Sequence, residues 1–187
     1  ISPVLSARTD RFVLVSMAAA LTISDLRQRG CGDYPLIRIM PNTPSAIGEG
    51  VIFYTCDGVT EAERQTFLEA MSGAGRLLPL DDHLMDAGSA VAGCGPAFVD
   101  LFLEAMADGG VACGLSRPMA LECAAQTLIG AAKLMLETGT HPGALKDAVC
   151  SPSGATIQGV RALEKGGLRS AVMEAVIAAY EKSAQMK

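Results

Sequence analysis

Apolar positions change their spacing along this chain. Up to about residue 80 they fall in short β-rich runs, Phe12 to Met17, Leu36 to Met40, Val51 to Thr55 and Arg76 to Leu80, separated by helical segments at Ser24 to Arg29 and Thr60 to Met71. Strand-like runs alternating with helices predict an α/β sheet layer. Thr60-Glu-Ala-Glu63 has the spacing of a capping box, and Phe67, Leu68 and Met71 continue an apolar face up to Gly73, which fixes a helix there. The chain begins ISPVLSARTD, without a methionine or a leader, and passes directly into a buried-strand pattern, so it reads as part of something longer.

Beyond residue 80 the strand pattern disappears, and Ala-, Leu- and Met-rich stretches are separated by Gly, Pro and Ser. Six helices are expected: Asp82 to Ala92, Pro96 to about Gly114, Ser116 to about Glu137, Pro142 to Val149, Ser153 to Lys165, and Leu168 to Gln185. Met85, Val91, Phe98, Leu101, Leu103, Val111, Leu121, Leu128 and Leu134 are candidate core or interface positions. Ala105, Gly109, Gly110 and Gly114 lie inside one helix, where each glycine costs roughly 1 kcal/mol relative to alanine, and a close helix-to-helix approach would offset that. Several helices are apolar on more than one face, Leu121 to Leu136 especially, which predicts an obligate oligomer built through this region.

At 187 residues and 50% hydrophobic, the chain can bury a real core in one or two domains. Its net charge of −5 comes without a basic block and with few aromatics, which argues against nucleic acid as a partner. Uncharged runs such as Phe12 to Ser24 and Ala87 to Val99 fall short of a bilayer's thickness, so no membrane association is expected and the chain reads as soluble. Cys31, Cys56, Cys94, Cys113, Cys123 and Cys150 show no CxxC pairing and read as reduced cytoplasmic thiols, mostly filling core space. His83 and His141 are far apart in sequence at expected helix starts, so neither a metal site nor a histidine-based triad can be argued.

Two segments carry candidate chemistry. In Leu145 to Leu163, a short charged helix runs into Ser151-Pro152-Ser153-Gly154 and then a second helix. With Ser153 as N-cap, Gly154, Ala155 and Thr156 would occupy the first turn, where amide protons lack intrahelical partners and the helix dipole favours an anion. Gly154 leaves room for a ligand to approach, and Thr156 adds a hydroxyl that donates and accepts. The second segment, RIMPNTPSAIGEG at Arg38 to Gly50, follows a strand and presents Asn42 and Thr43 at the strand's C-terminal end, where ligands bind in open α/β sheets. Taken alone, the first is equally a capped turn and the second a proline-stiffened surface loop.

Together the motifs resemble those of pyrroline-5-carboxylate reductases. LVSMAAA (Leu14 to Ala20), RIMPNTPSAIGEG, AGCGPAF (Ala92 to Phe98), ADGGVACGL (Ala107 to Leu115), HPGALKDAV (His141 to Val149) and CSPSGATIQGVRALEKGG (Cys150 to Gly167) occur in that family's order and spacing, over essentially the whole chain. The resemblance implies an α/β plus all-α protein: the C-terminal part of a Rossmann-type dinucleotide-binding domain (1–80), then a helical substrate-binding and dimerisation domain (81–187). It implies reduction of 1-pyrroline-5-carboxylate to L-proline by NADPH or NADH, the last step of proline biosynthesis, in a cytoplasmic homodimer that can assemble into rings of dimers. It places the substrate carboxylate on the backbone amides of Ser153, Gly154, Ala155 and Thr156, counts Ser151 among the substrate-binding residues, and puts the Thr156 hydroxyl at the ring nitrogen as the catalytic group. The nicotinamide would meet Ala18, Ala19 and Ala20 and Met40, Pro41, Asn42 and Thr43.

The chain also departs from the family pattern. Its turn reads Ser-Pro-Ser-Gly where Ser-Pro-Gly-Gly is usual, and Ala148 stands where a polar residue often reaches the cofactor. The strand, glycine-rich turn and helix that open family members do not occur in these 187 residues. Two other readings therefore stay open: a non-catalytic helical oligomerisation remnant, and a paralogous reductase of another cyclic imino acid.

Overall fold

Leu36, Ile37, Arg38 and Ile39 are all buried, as expected of a strand covered on both faces. The computed structural model describes residues 2–186 and places these four in β2 (Leu36–Met40), inside a four-stranded sheet ordered β1-β2-β3-β4. β1 (Leu14–Ser16) pairs parallel to β2, with Ser16 beside Arg38. β3 (Gly50–Asp57) is antiparallel to β2, and β4 (Gly75–Pro79) parallel to β3. The crossover from β1 to β2 carries α2 (Ile23–Leu26), which widens into a π-helical turn at Arg27–Cys31, and that from β3 to β4 carries α3 (Glu61–Met71). A short helix, α1 (Ser2–Ser6), precedes the sheet, so the chain does not enter directly into a strand as its pattern suggested.

One sheet face packs Ile37, Ile39, Ile52 and Tyr54 against Phe67 of α3, and the opposite face packs Leu36 against Leu26. The first residues of β3 and β4 approach so closely that a Cβ on Gly75, whose φ is +133°, would lie 2.1 Å from the Gly50 oxygen. The expected capping box forms: Thr60 Oγ1 accepts from Glu63 N at 3.3 Å, and Glu63 Oε2 accepts from Thr60 N at 2.8 Å. Arg11 donates to both oxygens of the same carboxylate, at 2.7 and 2.9 Å.

Two compact units emerge, Ile1–Pro96 with Val176–Lys187, and Ala97–Ala175. The region expected as one helix from Asp82 to Ala92 changes pitch twice. It starts as a 3-10 turn (Asp82–Leu84), continues as α4 (Met85–Gly88) and ends as a π-helical turn (Ser89–Gly93). Then come α5 (Gly95–Ala112), α6 (Arg117–Thr138), α7 (Pro142–Ala148), α8 (Ala155–Lys165) and α9 (Leu168–Ala184). α5 and α6 meet through the small side chains Ala107, Ala120 and Ala124, and a Cβ on Gly110 would stand 3.2 Å from that of Ala120. Gly114, at φ +102°, closes α5 in a Schellman motif, with Leu115 N donating to Gly110 O at 3.0 Å and Gly114 N to Val111 O at 2.9 Å. Gly109 faces open space and Ala105 is exposed, so the expected close approach involves only part of that small-residue stretch.

Of the expected apolar positions Met85 is fully buried, Phe98, Leu103, Val111 and Leu128 are half-buried, and Val91, Leu101, Leu121 and Leu134 are exposed. Among the described residues, α7, α8 and α9 contribute no buried side chain. Asp82–Ala112 and Arg117–Thr138 are long and apolar enough, by length and composition, to cross a membrane. This corrects the expectation that no stretch suffices: uncharged runs understate helix length, because isolated charges such as Asp100 and Lys133 sit within otherwise apolar helices. Cys56, Cys94, Cys113, Cys123 and Cys150 are free thiols, Cys113 and Cys123 exposed rather than core, while the Cys31 side chain lies outside the described set.

The Glu63 carboxyl sits far below its ordinary 4.5, at about 2, because Arg11 and then the Thr60 hydrogen bonds favour the ionised form. A lowered native pKa gives stability that is complete above 4.5 and lost as pH falls towards 2. Glu63→Gln should therefore flatten the acid limb of a urea-denaturation profile in that window and leave stability near neutral pH less dependent on salt.

Candidate active site

The parallel pairing of β1 and β2 brings two loops to one edge of the sheet. With Ser16 beside Arg38, the residues that follow, Met17 to Leu21 and Met40 to Thr43, leave the carboxyl ends of neighbouring strands, where an open α/β sheet forms its ligand crevice. Ala18 N donates to Ser16 Oγ at 3.3 Å, and Ala20 holds a left-handed φ of +61°. The turn then enters α2 through a capping box in which Thr22 Oγ1 accepts from Asp25 N at 3.0 Å and Asp25 Oδ2 accepts from Thr22 N at 2.8 Å. Ala18 and Ala20 are half-buried and Ala19 is exposed, so this segment offers only small side chains and backbone groups.

Asn42 is committed at both ends of its amide. Its Nδ2 donates to the Ala92 carbonyl at 3.0 Å, and its Oδ1 accepts from Val51 N at 2.9 Å. The side chain thus ties the loop after β2 to the start of β3 and to the π-helical turn at Ser89–Gly93, leaving backbone groups and the exposed Thr43 hydroxyl for any ligand. Beneath this edge lies Arg38, 1% exposed, whose Nη1 donates to Asp82 Oδ1 at 2.7 Å. The other oxygen of Asp82 accepts from Ile23 N at 3.1 Å. Arg38 Nε and Nη2 have no hydrogen-bond partner among the described residues. The sequence reading overlooked this pair, although a charged residue within Leu-Ile-Arg-Ile-Met was its signal.

In the second unit, Ser151 to Gly154 forms a β-turn in which Gly154 N donates to Ser151 O at 3.0 Å. Pro152 occupies the first central position, and Ser153 the second with φ +61°, the arrangement of a type II turn. Ser153 is therefore not the N-cap. That position belongs to Gly154 (φ −70°, ψ 166°), and α8 starts at Ala155 without a side-chain cap. The reason is the turn itself, because proline followed by a left-handed residue delays helix entry by one position. The amide of Gly154 is engaged within the turn, so the unpaired N–H groups of the first helical turn begin at Ala155 and Thr156. A Cβ on Gly154 would lie 2.3 Å from Ser151 Oγ, which keeps this entrance free of side chains. The Thr156 side chain is exposed, and its hydroxyl makes no hydrogen bond among the described residues. No group of metal-ligating side chains occurs among the described residues.

A loop-lined edge of parallel strands followed by an all-helical region is the C-terminal part of a Rossmann-type domain joined to a helical dimerisation domain. The family described as pyrroline-5-carboxylate reductase dimerisation matches residues 82–186. The pyrroline-5-carboxylate reductase of Arabidopsis thaliana is 45% identical over 175 residues, 93% of this chain and 63% of the relative. That of Escherichia coli is 40% identical over 187 residues, 100% of this chain and 70% of the relative. The crystal structure of Plasmodium falciparum pyrroline carboxylate reductase with NADP bound superposes with a TM-score of 0.89 at 33% identity, covering 99% of this chain and 73% of that one. The chain belongs to the pyrroline-5-carboxylate reductase family, and it spans 63% and 64% of the length of the first two plant relatives it matches.

Two substitutions test the turn. Ser153→Gly removes a left-handed L-residue and should raise stability by up to about 1 kcal/mol. Gly154→Ala places a poor N-cap residue against Ser151 and should lower it by about 1 kcal/mol. Chemical denaturation of the two variants against wild type reads both, and an opposite order would remove the type II assignment.

Proposed function

We propose that this chain is the nicotinamide-facing and substrate-binding portion of an enzyme that reduces 1-pyrroline-5-carboxylate to L-proline, the last step of proline biosynthesis. The observation that carries this reading is the Ser151–Gly154 turn opening α8, with unpaired amides at Ala155 and Thr156 and a free Thr156 hydroxyl, in a chain of this family. Residues 1–80 form the nucleotide half and 81–187 the substrate-binding and dimerisation half.

The substrate is a flat ring with a carboxylate and a C=N bond. The amides of Ala155 and Thr156, at the positive end of the α8 dipole, suit the carboxylate, with Ser151, Ser153 and Gly154 shaping the approach. Thr156 then holds the ring nitrogen through its hydroxyl. A bound nicotinamide supplies hydride to the imine carbon, and the nitrogen gains a proton from water or arrives already protonated. Thr156 orients the nitrogen and relays that proton; no lysine or histidine base is required. Ala18, Ala19, Ala20, Met40, Pro41 and Thr43 suit the nicotinamide end of NADPH or NADH, and Asn42 supports them from behind. NADP bound in the Plasmodium falciparum structure supports a pyridine nucleotide as the cofactor.

A second copy of this chain is the partner that fits the helical region. Leu101, Leu134, Val172, Met173 and Ile177 are each at least 46% exposed, and α7, α8 and α9 have no core of their own. The dimerisation description of the matching family supports a homodimer, which larger rings can extend. Free thiols and the Escherichia coli relative support a cytoplasmic site.

Thr156→Ala in the full-length enzyme should lower turnover about tenfold or more with cofactor affinity unchanged, and an unaltered rate would remove Thr156 from the mechanism. A comparison with piperideine-2-carboxylate decides between this imine and its ring homologue. The 187-residue chain by itself, which contains no glycine-rich phosphate turn, should oxidise no NADPH in the presence of pyrroline-5-carboxylate. Turnover by the purified chain would refute that.

A further inference from the structure

We propose that Asp82 is a positioning residue for the nicotinamide end of the cofactor, acting through Arg38 on one side and the backbone of Ile23 on the other; this rests on the reductase reading above. One carboxylate reaches the elements that flank both loops of the sheet edge, β2 through Arg38 and the start of α2 through Ile23. Its Oδ1 takes the Arg38 Nη1 proton at 2.7 Å, its Oδ2 takes the Ile23 N–H at 3.1 Å, and its backbone carbonyl lies 3.4 Å from the same Arg38 nitrogen. Arg38 stands two residues before Met40, where the loop Met40 to Thr43 begins, and Ile23 is the first residue of α2, three after the left-handed Ala20. The distance between Ala18–Ala20 and Met40–Thr43 is therefore set twice, by the pairing of Ser16 with Arg38 and by Asp82 bridging the segments.

Stability alone does not explain the pair. An arginine buried to 1% loses its hydration, and an apolar pair of the same volume is often equally stable or more so. Arg38 also leaves Nε and Nη2 without hydrogen-bond partners among the described residues, which a device for stability would not retain. What an apolar pair lacks is an acceptor for the Ile23 N–H, the contact that fixes the turn after β1 relative to β2. Asp82 is 27% exposed on its side chain and touches the loops only through these partners, so its effect on the cofactor is one of placement.

The test compares NADPH binding, read by fluorescence titration of the nicotinamide, in the full-length wild type, Asp82→Asn, the double variant Arg38→Met/Asp82→Leu, and Glu61→Gln in the surface ion pair with Arg64 as control. Asp82→Asn should weaken NADPH binding about tenfold, with kcat at saturating cofactor within about twofold. The double variant should recover the thermal stability of wild type without recovering the affinity, and the control should match wild type. Wild-type affinity in folded Asp82→Asn, or restored affinity in the double variant, would overturn the proposal. A wild type that binds NADPH yet reduces no pyrroline-5-carboxylate would sink the assigned reaction while the binding comparison still decides the role of Asp82. A wild type that binds no NADPH overturns both.

Discussion

The amino-terminal unit depends on β2 being inside. Because Leu36 to Ile39 are covered on both faces, a one-residue slip would take Ile37 and Ile39 out of the cluster with Ile52 and Phe67 and carry the charged Arg38 into their place. That fixes the register with β1, and the register fixes which residues leave the sheet together at its carboxyl edge. The loop chemistry at that edge is thus inherited from packing several residues away.

Much of this was legible in the sequence, and what was not has identifiable physical causes. Strands, helices and the capping box at Thr60 announce themselves through apolar period and local hydrogen bonding, both of which are written within a few residues. The helix N-cap at Gly154 was misplaced by one residue because proline and a left-handed serine compete with the helix for the same backbone, and composition does not show which wins. The pitch changes between Asp82 and Gly93 were invisible because each piece is about one turn long, too short for the different periods of α, 3-10 and π helix to show in the apolar pattern. Asn42 looked like a ligand-facing amide, and only the fold shows its two ends taken by Ala92 and Val51.

The candidate site was legible to a similar degree. The two motif segments lie where their chemistry suggests, one at the sheet edge and one at a helix entrance. Their supports were missed, because a support such as Arg38 with Asp82 joins residues 44 apart in sequence and belongs to no motif. Burial converts an unremarkable arginine into a fixed point, and burial is a property of the tertiary structure.

The helices after α6 have consequences for mass action. In the proposed homodimer, a region whose side chains find no interior in one chain would draw folding free energy from association, and its stability would scale with the logarithm of protomer concentration. Dilution would then act on that dimer as a denaturant does. In that dimer, substitutions on the outward faces of α5, α6 and α9 would register as folding defects although they disturb nothing within a single chain, and the apolar surface that looks like a liability in one copy would be the reservoir from which the proposed assembly is stabilised.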